Sequence, residues 1–179
     1  MTEVLIPSAF LIALLVWAGY YLGNQGELAW LPRELCRAQL AYAEELFQVT
    51  GAVVLTAKVD RGYRTPAGII ILVELKCRLQ NRMYPSDIIE LSAQRAALMA
   101  QMREEVALHA YVVVQGPSGY RAAHRVGLLD VVEVEALISR REAILAGSIS
   151  PRPTCNPLLC RGCWFKRWCA DELQGAGIR

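Results

Sequence analysis

Net charge is nearly absent from this 179-residue sequence: 19 lysines and arginines face 17 acidic residues, leaving +2 at pH 7. No global basic field therefore announces a nucleic-acid partner, and any basic groove has to be local. Histidine is scarce, with two residues in all and none before Asp60. His109 falls in an apolar run and reads as incidental; His124 is either a phosphate contact or an ordinary exposed or core side chain. No internal repeat or low-complexity tract is present, and the length suits one domain with a sizeable core. Positive charge is also missing ahead of the first apolar run, where only Met1-Thr2-Glu3 stand, which argues against a cleaved signal peptide.

That run, Val4 to Leu22, carries no charge and inflates a hydrophobic fraction of 54%. About 20 apolar residues span a bilayer as a helix, and Trp17, Tyr20 and Tyr21 near its far end fit an interfacial belt. A buried core helix is the alternative. Arg33 and Arg37 follow the run, so the positive-inside rule places the rest of the chain in the cytoplasm, anchored to the inner membrane. Residues 1–26 are thus expected to be a membrane anchor, 27–150 a folded core and 151–179 a cysteine-rich tail.

Pro32 to Phe47 reads as an amphipathic helix with Leu35, Leu40, Ala43 and Leu46 or Phe47 inward, carrying Cys36, Glu44 and Glu45. Strand-like runs follow at Ala52 to Val59 and Ile69 to Val73, separated by a turn over Arg61 to Gly68. A second helix is predicted over Pro85 to Val106, capped at Ser86-Asp87, with Glu90 and Gln94 on one face. Leu108 to Gln115 and Tyr120 to Leu128 make a strand pair about the turn Gly116-Pro117-Ser118-Gly119. A third helix runs from Asp130 to Leu145, with Gly147 at its end. The expected class is α/β.

Chemistry concentrates between the first two strands. Alternation places Glu74 and Lys76 on one face of their strand, with Leu75 on the other. A hairpin brings Asp60 to them. Two carboxylates and an ammonium at the end of apolar strands are costly to bury without a purpose. Two carboxylates hold magnesium or manganese with several waters retained, and a lysine can orient an attacking water; a solvated Glu74–Lys76 pair is the plain alternative. Asp60 followed by Glu74-x-Lys76 resembles the PD-(D/E)xK nuclease superfamily.

The tail adds Cys155, Cys160, Cys163 and Cys169 within fifteen residues, a density that reads as a metal or cluster site rather than a disulfide scaffold. Zinc could take these four; a four-iron cluster could take Cys160, Cys163 and Cys169 with one distant cysteine. C-x2-C-x5-C near the C-terminus, with a lone cysteine before the core, resembles the RecB-like nucleases, and among them the Cas-four family of CRISPR-associated exonucleases. The likeness covers about residues 30 to 170.

The resemblance implies a restriction-endonuclease-like core, a central mixed sheet flanked by helices. It implies a [4Fe–4S] cluster on Cys36, Cys160, Cys163 and Cys169, leaving Cys155 and Cys77 spare. It also implies a metal-dependent DNA exonuclease with Asp60 and Glu74 as metal ligands, Lys76 as the water-aligning group and Glu45, or Glu44, as a further carboxylate. Arg61, Arg78, Tyr84 and Gln94 are the DNA-contacting candidates, with Arg64 and Arg82 close by in sequence and Trp164, Phe165 and Trp168 as stacking or cluster-packing surfaces. DNA ends or single strands are the expected partner, with CRISPR adaptation or recombination and repair proteins beyond. One departure stands out: the family's usual Gln-x-x-x-Tyr after the Glu-x-Lys strand is Glu90-x-x-x-Gln94 here. A catalytically weak DNA-binding subunit with the same fold is the alternative it raises.

Overall fold

Period-2 alternation and a helical crossover generate a five-stranded sheet in the order β1-β2-β3-β4-β5. The computed structural model describes residues 30–51, 53–152, 159, 161–164 and 166. A short 3-10 turn, Arg33–Leu35, leads into β1 (Gln39–Thr50), β2 (Val54–Arg64), β3 (Ile70–Cys77), α1 (Pro85–Met102), β4 (His109–Gln115), β5 (Arg121–Gly127) and α2 (Val131–Leu145). Strands β1, β2 and β3 pair antiparallel in sequence. α1 then carries the chain back so that β4 runs parallel to β3, and β5 closes the sheet antiparallel to β4. The class is α/β with a mixed sheet, as the sequence predicts. The chain divides into two compact units, Met1–Ala136 and Leu137–Arg179, with the boundary inside α2.

The sheet is apolar on both faces. One face buries Phe47, Val59, Ile70, Leu72, Val112 and Val114 with Leu91, Ala97 and Leu98 of α1. The other buries Tyr63, Ile71, Val73, Tyr111 and Val113 beneath Leu31 and Leu35. β3 alternates between them from Ile70 to Val73, which explains why it reads as a continuous apolar run.

Two predicted elements differ. The helix expected over Pro32 to Phe47 is instead the 3-10 turn followed by β1. A bulge between Leu40 and Tyr42 and a left-handed Glu44 (φ 55°) break the alternation of this strand. With left-handed Glu44 between them, Tyr42 and Phe47, five residues apart, both reach the α1 face and meet edge-on with ring centroids 5.3 Å apart. A regular strand would send them to opposite faces. Long pairing with β2 outweighs helix propensity here, because tertiary contacts supply most of the stability of a short element.

The turn after β2 is also shorter than predicted. Tyr63 is buried and Arg64 still pairs with Ile70, so reversal is confined to Thr65–Ile69. The Thr65 N–H donates to the Ile69 carbonyl at 2.9 Å and Gly68 adopts φ 87°. Asp60 accordingly sits within β2 rather than at its end.

α1 begins one residue before the expected cap. Tyr84 is its N-cap, and its N–H donates to the Asp87 carboxylate at 2.8 Å. The helix stops at Met102 because Arg103 turns left-handed, and the next residues join the sheet: the Ile70 N–H donates to the Glu105 carbonyl at 2.9 Å. α2 is closed at its start by reciprocal bonds between Asp130 and Glu133, each 2.8 Å. Among the described residues no helix is long and apolar enough to cross a membrane; the Val4 to Leu22 run lies outside them.

Candidate active site

The ladder between β2 and β3 ends at Arg61 opposite Val73. The next residues in register are Asp60 and Glu74, and there the backbones cease to pair. Asp60 uses its side chain instead: Oδ2 accepts from the Leu75 N–H at 2.9 Å. β3 stays anchored on its other side, where Glu74, Leu75 and Lys76 continue against Val112, Val113 and Val114. Asp60, Glu74 and Lys76 are thus brought to one place, a notch at the parting of two strands.

α1 lies over this notch. Gln94 is buried and its Nε2 donates to Glu74 Oε2 at 2.8 Å. One turn earlier Glu90 accepts from Lys76 Nζ at 2.8 Å, and Lys76 also meets Glu74 Oε1 at 2.6 Å. The spacing of four residues puts both helix side chains on the sheet-facing side. The Glu74 side chain is only 3% exposed. Burial pushes its pKa up to about 7, Asp60's charge adds to the rise, and the hydrogen bonds from Lys76 and Gln94 work against it. Burial acts against the charge on Lys76 as well, but its bonds to Glu74 and Glu90 outweigh that and hold it protonated above its usual range.

This donor set fits a hard divalent cation. Among the described residues no three His, Cys, Asp or Glu side chains gather around one point, but magnesium commonly takes one or two carboxylates and keeps its waters. A cation between Asp60 and Glu74 would relieve the repulsion and desolvation that now hold Glu74 near neutrality. Gln94 Oε1 is buried beside that carboxylate with no hydrogen-bond partner among the described residues.

The outlying candidates divide. Glu44 is on β1 and pairs with Lys58; Glu45 is exposed on the same strand. The expectation that a first helix delivers one of them to the site does not hold, because no helix forms there. Arg78 makes a two-pronged pair with Asp87, at 2.7 and 2.6 Å, and stacks over Tyr84 at 4.7 Å. Arg82 lies over the same ring at 5.3 Å. Tyr84, at the start of α1, thus carries two guanidiniums against its ring and is still 37% exposed.

Arg61 lies over Trp30, 6.0 Å from the ring centroid, and Trp30 packs with the cluster on the face away from α1. Arg64 pairs with Glu104 at 2.8 Å. Gln94, expected as a DNA contact, is instead 2% exposed and bonded to Glu74, because its place on the buried side of α1 turns it into the site. The roles of Glu90 and Gln94 as partners of Lys76 and Glu74 were not predicted; their shared helix face was the available signal. His109 bonds Glu34 at 3.0 Å and His124 bonds Asn81 at 2.6 Å.

Of the cysteines, Cys36, Cys77 and Cys163 are exposed free thiols. Cys36 follows the 3-10 turn, with Sγ 3.7 Å from the Pro32 carbonyl. Cys155, Cys160 and Cys169 lie outside the described residues, as do Phe165 and Trp168.

The fold and notch define an α/β protein with an Asp–Glu–Lys constellation. No family model matches the chain, and no curated protein does. Among solved structures the chain is similar to SSO0001, at 19% identity and TM-score 0.44, over 93% of this chain and 74% of that one. It is also similar to a structure named "Putative exonuclease" from Eubacterium rectale, at 10% identity and TM-score 0.43, over 71% of this chain. The chain spans about half the length of the latter, 51%. Neither degree of likeness establishes a family or an activity.

Proposed function

We propose that this chain is a metal-dependent deoxyribonuclease with a PD-(D/E)xK, restriction-endonuclease-like core, acting as an exonuclease on DNA ends or single strands. The observation that carries the reading is the meeting of Asp60, Glu74 and Lys76 at the parting of β2 and β3. Asp60 and Glu74 are the residues that would hold magnesium or manganese. Bound there, such an ion supplies a Lewis acid for the phosphate and a more acidic water. Lys76, kept charged by Glu74 and Glu90, is positioned to orient a water and stabilise negative charge on the phosphate. Gln94 fixes the Glu74 carboxylate.

The same reading gives the cysteines to a [4Fe–4S] cluster on Cys36, Cys160, Cys163 and Cys169, with zinc on the four tail cysteines as the competing assignment. A cluster there would serve as a structural staple. Anaerobically purified protein is expected to hold about four irons per chain and absorb visibly. Cys36→Ser should remove that absorption and Cys77→Ser should keep it. Zinc retained in Cys36→Ser would decide for the alternative. CRISPR adaptation or recombination and repair proteins are the partners this class suggests, with the Val4 to Leu22 run tethering the core to the cytoplasmic side of a membrane.

A second reading, a DNA-binding subunit with weak catalysis, is favoured by one observation. Cations of the site and of its helix are already occupied: Lys76 bridges two carboxylates, and Arg78 is locked to Asp87. A manganese-dependent assay on end-labelled single- and double-stranded DNA separates the two. The nuclease reading expects cleavage that drops by at least about a hundredfold in Glu74→Ala, the scale of losing a principal electrostatic group. DNA retained on the protein without cleavage supports the subunit reading.

A further inference from the structure

At the opposite end of β3 from the notch lies a cavity of about 720 Å³, walled by Ile69, Ile71, Met99, Val106 and Leu108. This is within the range of small-molecule sites. Arg95, two-turn neighbour of Asp87 on α1, lines it and is only 8% exposed. Its Nε donates to the carbonyls of Val106 and Ala107, both at 3.1 Å. Those bonds clamp the guanidinium plane against the turn that follows α1. Its two Nη groups make no hydrogen bond or ion pair among the described residues. Among the described residues the buried side-chain atoms without a partner are Trp30 Nε1 and Gln94 Oε1, so the Nη groups of Arg95 stay open to solvent rather than sealed in the interior. Burial lowers the pKa of Arg95, and only the field of Asp130 acts in the other direction.

The other charges around the cavity restrict what the arginine could receive. Glu34 also lines it, but is engaged by His109 and by the Tyr111 hydroxyl at 2.6 Å. Glu105 lines it too, from an exposed position. A multiply charged anion such as a nucleotide phosphate would be repelled by both carboxylates. A single negative charge on an apolar body meets one clamped guanidinium and aliphatic walls.

We propose that this cavity is a second ligand site, separate from the notch, which binds small monocarboxylates with an apolar tail through the Nη groups of Arg95. The site does not depend on the nuclease reading, since it shares no side chain with the notch.

The test is calorimetric titration of the full chain with hexanoate, hexanamide and inorganic phosphate. Hexanoate is expected to bind saturably, and at least about tenfold more tightly than hexanamide or phosphate, the scale of a hydrogen bond to a charged group. Arg95→Gln should weaken hexanoate by at least about tenfold. Met99→Trp, which fills the cavity and leaves Arg95 in place, should abolish it and covers the case in which the arginine variant fails to fold. Equal binding of hexanoate and hexanamide would overturn the proposal. So would phosphate binding more tightly than hexanoate, full hexanoate binding in Met99→Trp, or no heat from hexanoate at all.

Discussion

Glu74→Gln is expected to stabilise the metal-free protein at pH 8 and, on the proposed nuclease reading, to abolish cleavage. The carboxyl of Glu74 titrates near 7 in the folded chain, against an ordinary value of 4.5, chiefly because it is buried. A raised carboxylate pKa contributes stability that is fully present below the unfolded value and is lost as pH rises through the folded one. Native stability should therefore decline between about pH 4.5 and 7 and level off above. Glutamine mimics the protonated form, so the variant escapes that decline.

The expected gain at pH 8 is on the order of 2 kcal/mol, from 1.36 kcal/mol per pKa unit reduced by the lost bond to Lys76. That corresponds to a midpoint rise of roughly 4–8 °C for a chain of this size. Lys76 keeps Glu90 as a partner, so the substitution does not strand a buried charge. At pH 5 the two proteins should melt together. Manganese should raise the wild-type midpoint, more at pH 8 than at pH 5, and leave the variant unmoved. Thermal melts at the two pH values decide the matter: equal destabilisation at both would show that Glu74 is a contented member of its ion pair with Lys76.

The second large effect is expected at Asp87, away from the notch. Its carboxylate is 2% exposed at the side chain, takes both prongs of Arg78 and accepts the Tyr84 N–H that starts α1. The Arg78 hydrogen bond, over the cost of burial, holds its pKa below the ordinary 3.8. Such a group stabilises above its unfolded pKa and loses that contribution as pH falls through the folded one.

Asp87→Ala removes the cap and leaves Arg78, 20% exposed, without its partner. A loss of about 3 kcal/mol is expected, the lower end for breaking a buried pair, measurable by urea denaturation at pH 7. The acid-induced decline below about pH 4 should become shallower in the same variant. Because Glu90 and Gln94 ride on the helix this cap starts, the proposed manganese-dependent cleavage should weaken too. Unchanged stability at pH 7 would remove Asp87 from the account of how α1 is held.

Much of the notch is legible in the sequence. β3 announces itself as Ile69 to Val73, and alternation alone sends Glu74 and Lys76 to one face. Apolar runs on either side of a Gly- and Pro-containing turn are enough to place Asp60 near them. What escaped was β1. Its phase changes at the Leu40/Tyr42 bulge and at left-handed Glu44, so its buried residues follow neither a strand period nor a helix period. The misreading carried Glu44 and Glu45 toward the site, where the structure gives Glu44 to Lys58.

The sequence by itself determined the order of most elements, the apolar strands of the centre and the pairing of Glu74 with Lys76 on one strand face, because these depend on local periodicity. Only the tertiary structure decided that Gln94 is buried against Glu74, that Glu90 holds Lys76 and that Asp87 consumes Arg78. Those contacts join residues of different elements, and their existence depends on how α1 is laid across the sheet. Side-chain type states what a residue can do; long-range packing chooses its partner, and with it whether a charge is available for chemistry.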